Sequence, residues 1–319
     1  MRAAFHEMTG GVEVLRVGEV PDPPDPAPGD VQIRVRAASL DRVDLYCREG
    51  SHGMVLRQVP HIGGRDVAGI VNAVGDGVRG VAIGDEVVAS GWRTHAQLAN
   101  ARAVLTFPKP VSCSFEEAAA IPTAGRSAAA ALLERVSIQA GETVLVTAAG
   151  SGVGSFGVQI ARAVGCRVIA TAGPAKLDQA LALGAHVAID HYRTDLVDAV
   201  FAATAGAGVD VVLDHIGTPL WDAVIRVLRP WGRYVTTGVT AGHRVPLHLG
   251  QVFVRGLTIT GVGRPTDDQI AVTLRNLLAM VDARTVRPVV SEVVPLDQIA
   301  RAHQLMERSA FFGKIVLAP

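Results

Sequence analysis

Along the first 110 or so residues the apolar positions come in short β-branched runs cut by glycine. Val31 to Arg36 (VQIRVR) alternates with period two, which predicts a strand with valine and isoleucine toward a core and Gln32, Arg34 and Arg36 toward water. Asp66–Gly75 and Gly84–Ser90 read as further strands, with a turn at Gly75-Asp76-Gly77. Few helical periods interrupt them, so this part predicts a β-barrel-like domain. From Ser114 the pattern turns to alanine-rich helix, and Pro122 splits it into two helices meeting at Ile121 to Gly125. A strict alternation of strand and helix follows. Apolar runs at Thr143–Thr147, Arg167–Ala172, Val187–Asp190, Val209–Asp214, Tyr234–Thr237 and Leu257–Gly261 flank helical stretches, among them 174–183, 196–204 and 219–229. About six parallel strands covered by helices make a doubly wound α/β sheet. Two more helices, Asp267–Val281 and one near Gln298–Glu307, precede a last strand, Lys314–Leu317.

Charge and cysteine content narrow the classes. Thirty Lys and Arg balance thirty Asp and Glu over 319 residues, which leaves no basic footprint for nucleic acid. No apolar run is long enough for a membrane span and no export signal follows Met1. Cys47, Cys113 and Cys166 are isolated, which suits a reducing, cytoplasmic setting. The prolines between Pro21 and Pro28 read as a stiff surface connection.

The candidate chemistry begins at the turn after Thr147, where Ala149-Gly150-Ser151-Gly152-Val153-Gly154 leads into a helix with Val153, Phe156, Gly157, Ile160, Ala161 and Val164 on one face. A small-residue turn between strand and helix brings backbone N–H groups and a helix N-terminus against a pyrophosphate. NAD binders carry an acidic residue at the end of the second strand for the ribose 2′-hydroxyl. Here that position is Ala172-Gly173-Pro174, and the first acid is Asp178 in the next helix. Lys176, helped by Tyr192 and Arg193, suits a 2′-phosphate, so the expected cofactor is NADPH; the plain alternative makes Lys176 a solvated first-turn lysine. The histidines show no ligand spacing. His215, after Asp214 at the carboxyl end of the fourth strand, stands where open α/β sheets bind ligands.

Several stretches together resemble the medium-chain dehydrogenase/reductases, in the zinc-free quinone oxidoreductase (zeta-crystallin-like) branch: AASLDRVDLYCREG (37–50), GGRDVAGIVNAVG (63–75), AAIPTAGRSAAAAL (119–132), GVDVVLDHIG (208–217), LRPWGRYVTTG (228–238) and FFGKIVL (311–317). The resemblance implies a GroES-like catalytic domain from residues 1–122 and 264–319, a Rossmann NADPH-binding domain over 123–263, and an active site in the cleft. It implies cofactor contacts from Gly150, Ser151, Gly152, Val153, Gly154, Gly173, Lys176, Tyr192, Ile216, Gly238 and Lys314. Zinc-dependent relatives hold their catalytic metal with a Cys in the segment matching 39–46, a His-Glu pair in that matching 64–69, and a Cys in that matching 121–125. Here these read Asp41, Arg65 with Asp66, and Thr123, and residues 85–107 lack the four cysteines of a structural zinc lobe. No metal is expected. The expectation for the vacated site is that the Arg65 guanidinium replaces the ion's charge, held by Asp41 or Asp66.

Three residues are catalytic candidates by the resemblance. Thr123 lies near the nicotinamide, or caps the second helix. Tyr46 lines the cleft as a hydrogen-bond or proton donor, or packs in the barrel with its hydroxyl at the surface. Asp41 stands where the family usually has asparagine, which leaves its role open. The implied activity is hydride transfer from NADPH to a quinone or α,β-unsaturated carbonyl, with proton supply from Tyr46 or water. An enoyl-thioester reductase of the same fold and a non-catalytic NADPH-binding protein are the alternatives. The apolar Leu257–Gly261 strand, unguarded at the sheet edge, predicts a homodimer.

Overall fold

The structure is a computed structural model describing residues 1–319, and it divides the chain into two units. Met1–Ala124, Thr266–Asp282 and Pro288–Pro319 form the first; Gly125–Pro265 and Ala283–Arg287 form the second. In chain order the elements up to the boundary are β1 (Arg2–His6), β2 (Arg16–Glu19), β3 (Asp30–Ser39), α1 (Arg42–Glu49), β4 (His61–Ile62), β5 (Asp66–Val74), β6 (Glu86–Trp92), β7 (Leu98–Pro108), α2 (Phe115–Ala119) and α3 (Pro122–Ala129). The second unit holds β8 (Thr143–Val146), α4 (Gly152–Val164), β9 (Arg167–Ala172), α5 (Leu177–Ala182), β10 (Val187–Asp190), α6 (Leu196–Ala203), β11 (Val209–Asp214), α7 (Trp221–Val227), β12 (Leu228–Thr236), α8 (Leu249–Arg255) and β13 (Thr258–Gly261). The chain then returns to the first unit with α9 (Asp267–Asp282), β14 (Val290–Pro295), α10 (Ile299–Glu307) and β15 (Lys314–Ala318).

In the first unit the main sheet runs β14-β15-β3-β5-β6-β7, and a further pairing of β3 with β7 closes four strands into a barrel. Val31, Ile33 and Val35 fill it with Val67, Val71 and Val87, as their alternation requires. Gln32 departs from the expectation of facing water. It is buried, and its Oε1 accepts from Asn72 Nδ2 at 2.7 Å, because the strand pairs on both edges and a neighbouring amide supplies the partner. α2 and α3 meet at Pro122, which begins α3 because a first-turn residue needs no donor N–H.

In the second unit six parallel strands run in the order β10-β9-β8-β11-β12-β13. The order reverses beside β8, so β9 and β11 flank it and the loops after β8 and β11 open on the same crevice. α8 forms within 240–255, a stretch without periodicity enough to read as helix; His248 Nδ1 accepts the Gln251 N–H at 3.1 Å and starts it. No helix is long and apolar enough to cross a membrane.

Behind β1, in the first unit, a cavity just large enough for one water is lined by His6, Asp44, His61, His95 and His303. Burial, and then the neighbours His95, Arg48 and His6, push His303 down to about 2; burial also lowers His6 and His61. A histidine lowered in the folded state stays neutral there while the unfolded chain takes up a proton below about pH 6.5, so its contribution to stability is lost as pH falls through that value. His303→Asn is therefore expected to lose less stability than wild type between about pH 6 and about pH 4, by roughly 1.4 kcal/mol per pH unit, read from denaturant midpoints. Parallel pH slopes for the two proteins would refute this.

Candidate active site

In the second unit the turn after β8 is built from small residues for steric reasons. A Cβ on Gly154 would lie 2.3 Å from the Ala148 carbonyl oxygen and 2.7 Å from Ala149 Cα, so only glycine lets α4 start against the strand end. Ser151 caps α4, its Oγ accepting the Gly154 N–H at 2.9 Å. Gly150, Gly152 and Val153 complete the turn at the positive end of a 13-residue helix, where backbone donors suit a phosphate. The Ser151 Oγ also meets His215 Nε2 at 2.8 Å, which ties this turn to the end of β11.

The neighbouring loops are held by one buried carboxylate. Asp214 accepts from Thr147 Oγ1 at 2.7 Å, Tyr234 Oη at 2.8 Å, and the N–H groups of Ile216 at 3.1 Å and Gly217 at 3.0 Å. Burial and the adjoining Asp214 push the Tyr234 phenol above its ordinary value, so it remains a donor. A Cβ on Gly238 would lie 3.4 Å from His215 Cβ, so Gly238 closes against the same loop. At the end of β9, a Cβ on Gly173 would stand 3.2 Å from the Tyr192 ring, and Lys176 begins α5. No carboxylate ends β9. Asp190, at the end of β10, accepts the Tyr192 N–H at 3.0 Å, and exposed Arg193 faces it at 3.9 Å. The glycine turn, the helix N-terminus and a β9 end without a carboxylate together fit a dinucleotide carrying a 2′-phosphate.

In the first unit a charged cluster forms where β3, β5, β15 and the starts of α1 and α3 converge. Asp66 is wholly buried; its carboxylate accepts Thr123 Oγ1–H at 2.6 Å, the Thr123 N–H at 3.1 Å from both oxygens, and Ser39 Oγ–H at 3.0 Å. Asp66, 57 residues earlier, thus caps the first turn of α3 through the Thr123 N–H. Lys314, also buried, donates to the Leu40 carbonyl at 3.0 Å, forms an ion pair with Asp41 Oδ1, and lies 3.9 Å from Asp66 Oδ2. Burial opposes the ammonium, but Asp41 and Asp66 outweigh it and hold Lys314 above the ordinary lysine value. Burial, then Asp41, raise Asp66 to about 7, against Lys314 and the Thr123 donors.

Arg65 does not join this cluster, contrary to the expectation. It is exposed at the strand start and forms no ion pair with Asp41 or Asp66. Lys314 brings the cation instead, because β15 delivers its side chain inward beside β3, whereas alternation along the strand turns Arg65 out where Asp66 turns in. Nothing in the local spacing signals a partner 273 residues away. Tyr46 is not part of the cluster; half-buried on α1, it stacks on His52 with ring centroids 3.8 Å apart. No group of three or more His, Cys, Asp or Glu side chains is arranged to hold a metal, and the three cysteines are free thiols.

A closed barrel joined to a six-stranded 3-2-1-4-5-6 sheet with a glycine turn defines a two-unit dinucleotide-binding oxidoreductase. Comparison with known proteins agrees. Residues 27–148 match the alcohol dehydrogenase GroES-like domain and residues 152–280 the zinc-binding dehydrogenase family. The chain is similar to the quinone oxidoreductase of Sus scrofa, 31% identical over 316 residues, which cover 97% of this chain and 94% of the relative. It is 37% identical over 318 residues to the spectinabilin polyketide synthase system protein NorB of Streptomyces orinoci, covering 97% of this chain but 14% of that protein. Among solved structures, an NAD-dependent alcohol dehydrogenase superposes with a TM-score of 0.92 at 35% identity, and the Escherichia coli quinone oxidoreductase complexed with NADPH with 0.90 at 29% identity, each covering 100% of both chains. The chain belongs to the medium-chain dehydrogenase/reductases, alongside the quinone oxidoreductases.

Removing the shared cation leaves two buried carboxylates uncompensated. Lys314→Met is expected to cost about 3–5 kcal/mol of unfolding free energy, measured by chemical denaturation. A loss under about 1 kcal/mol, the scale of exposed pairs, would show that the pair is effectively solvated.

Proposed function

We propose that this protein is an NADPH-dependent reductase of quinones or α,β-unsaturated carbonyls that works without zinc. The observation that carries the reading is the Lys314 ammonium between Asp41 and Asp66, beside Thr123. In the zinc relatives the matching positions hold a metal that polarises the substrate oxygen. A lysine committed to two buried carboxylates is a poor Lewis acid, which favours acceptors already electrophilic at carbon, such as quinones and enones. Bound NADPH supplies the hydride. The chain's part is to seat the pyrophosphate on Gly150, Ser151, Gly152, Val153 and Gly154, and to line the cofactor with Ile216 and Gly238. Lys176 and Tyr192, at Gly173, take the 2′-phosphate; Thr123, bonded to Asp66 beside Lys314 and Asp41, is the hydroxyl that the family resemblance assigns to the nicotinamide. The reduced substrate also takes up one proton, for which Tyr46 and water are the donors that the family resemblance offers. Three free thiols suit a reducing, cytoplasmic setting.

The similarity to a polyketide synthase system protein along nearly the whole chain favours one second reading, an enoyl-thioester reductase. Rates on acyl-CoA enoyl thioesters against free enones and a quinone panel separate the two. A purified protein that binds NADPH and turns over neither class would be a non-catalytic cofactor-binding protein.

Lys176→Ala is expected to weaken NADPH about ten- to hundredfold, the size of a lost charge-assisted hydrogen bond of about 1.5–3 kcal/mol, and to leave NADH nearly unchanged. Titration of both nucleotides by fluorescence checks this; equal wild-type affinities would remove the basis for NADPH preference.

We also propose a homodimer built on the second unit. β13 is the last strand of its sheet, so one edge has no partner within the chain. Around it Trp231 is 80% exposed, Phe253 85% and Val254 80%, and Trp231 packs on the α8 end, where a Cβ on Gly256 would meet its ring at 2.6 Å. Light scattering at micromolar concentration should give twice the chain mass for wild type and a lower mass for Phe253→Asp. A monomeric wild type refutes the dimer.

A further inference from the structure

Two carboxylates and one ammonium lie together in the first unit, Asp66 and Lys314 buried and Asp41 partly so. Fully ionised, Asp41, Asp66 and Lys314 carry one surplus negative charge; one added proton makes the group neutral, the state a buried site favours. Asp41 Oδ1 is committed to Lys314, while its Oδ2 is buried without a hydrogen-bond partner. Asp66 is the better place for the proton, being wholly buried, farther from the ammonium, and raised to about 7. The groups facing it are Asp41 from the start of α1, Lys314 from β15, Ser39 from β3 and Thr123 from α3; Asp44 acts on Lys314 from behind.

Thr123 is half-buried, and its hydroxyl is bonded directly to the buried carboxylate. The 2.6 Å contact between Thr123 Oγ1 and Asp66 Oδ1 can run in either sense. With Asp66 ionised, the hydroxyl donates to the carboxylate. With Asp66 protonated on Oδ1, the carboxyl O–H donates to Oγ1, and the hydroxyl's own hydrogen turns outward. Ser39 Oγ–H and the Thr123 N–H hold the carboxyl in place in both states.

We infer that Asp66, backed by Asp41 and Lys314, is a one-proton store for the reduction and delivers its proton through the Thr123 hydroxyl. The inference rests on the reductase reading. A quinone accepts a hydride with its electron pair, the reduced nicotinamide being the donor and ending oxidised, and becomes a hydroquinone monoanion. Thr123 Oγ–H protonates that oxyanion while the Asp66 proton moves to Thr123 Oγ. Asp66, left as carboxylate, regains one proton from water before the next turnover. The sum is quinone, NADPH and one proton giving hydroquinone and NADP⁺. Thr123 touches the substrate and is the catalytic residue; Asp66 acts through it.

The test uses the full chain with NADPH and a soluble benzoquinone, and compares wild type with Thr123→Val, Thr123→Ser, Asp66→Asn and Tyr46→Phe. Wild-type kcat is expected to fall about tenfold per pH unit above neutrality, as the stored proton is lost. Thr123→Val and Asp66→Asn lower kcat at neutral pH by about ten- to hundredfold and flatten that limb, with NADPH affinity within about threefold of wild type. Thr123→Ser restores the limb that Thr123→Val removes. Infrared difference spectra give a readout independent of turnover: a protonated-carboxyl carbonyl band that titrates near neutrality in wild type and is missing in Asp66→Asn. Should Asp66→Asn fail to fold, the Thr123 pair decides, since it leaves Asp66 in place. A wild-type pH profile in Thr123→Val, or its loss in Tyr46→Phe instead, overturns the relay; absence of the titrating band overturns the store. If wild type reduces no quinone or enone, the reductase reading fails and the infrared titration alone decides the store.

Discussion

The first unit is organised by a single buried ammonium. Lys314 is 3% exposed, and the groups around it come from the loop after β3, the start of β5 and the start of α1. Asp66, one of its two carboxylates, is also the N-terminal cap of α3. The cation therefore stands beside the carboxylate that receives the first turn of α3. Hydrophobic burial supplies most of the driving force here as elsewhere, but apolar packing alone would not specify which strand end meets which helix start. Charges that cost so much to misplace narrow the choice.

The second unit solves a different problem. Its chemistry needs backbone donors brought close to a charged ligand, so the constraint is steric rather than electrostatic. Gly154 is small because the Ala148 carbonyl and Ala149 Cα occupy the space a side chain would need, while Gly173 sits under the exposed Tyr192 ring. Asp214 then ties the loops after β8 and β11 to β12 by accepting from Thr147, Ile216, Gly217 and Tyr234. One buried acid with every contact satisfied makes a rigid rim, which suits a cofactor that must present one carbon at a defined place.

What could be read in the chain follows from the range of the forces involved. The alternation of Val31, Ile33 and Val35, the βα rhythm from Thr143 onward and the glycine turn are local patterns, and the six-stranded sheet follows them closely. α8 was hidden because its exposed Leu249, Phe253 and Val254 give no buried stripe to set a period. Gln32 was misread because its partner, Asn72, lies on the adjacent strand. In the candidate site, Asp41, Asp66 and Thr123 could be brought together by resemblance, yet the cation was assigned to Arg65, adjacent in sequence, rather than to Lys314. Which of two basic residues enters a buried site depends on strand facing and on a long-range pairing. Neither is written in the residues nearby.

The placement of β15 also bears on the order in which the molecule can assemble. The bond from Lys314 to Leu40 spans 274 residues, and β14 and β15 join β3 only after the whole second unit has been made. The second unit is almost continuous in sequence, whereas the first waits for its last strand. During synthesis the Rossmann sheet can close on local pairings while the barrel carries Asp41 and Asp66 without their counter-charge. The two ends of the chain are thus bound to one event: the arrival of the last strand extends the sheet beyond the closed barrel and brings Asp41 and Asp66 their shared counter-charge in the same step.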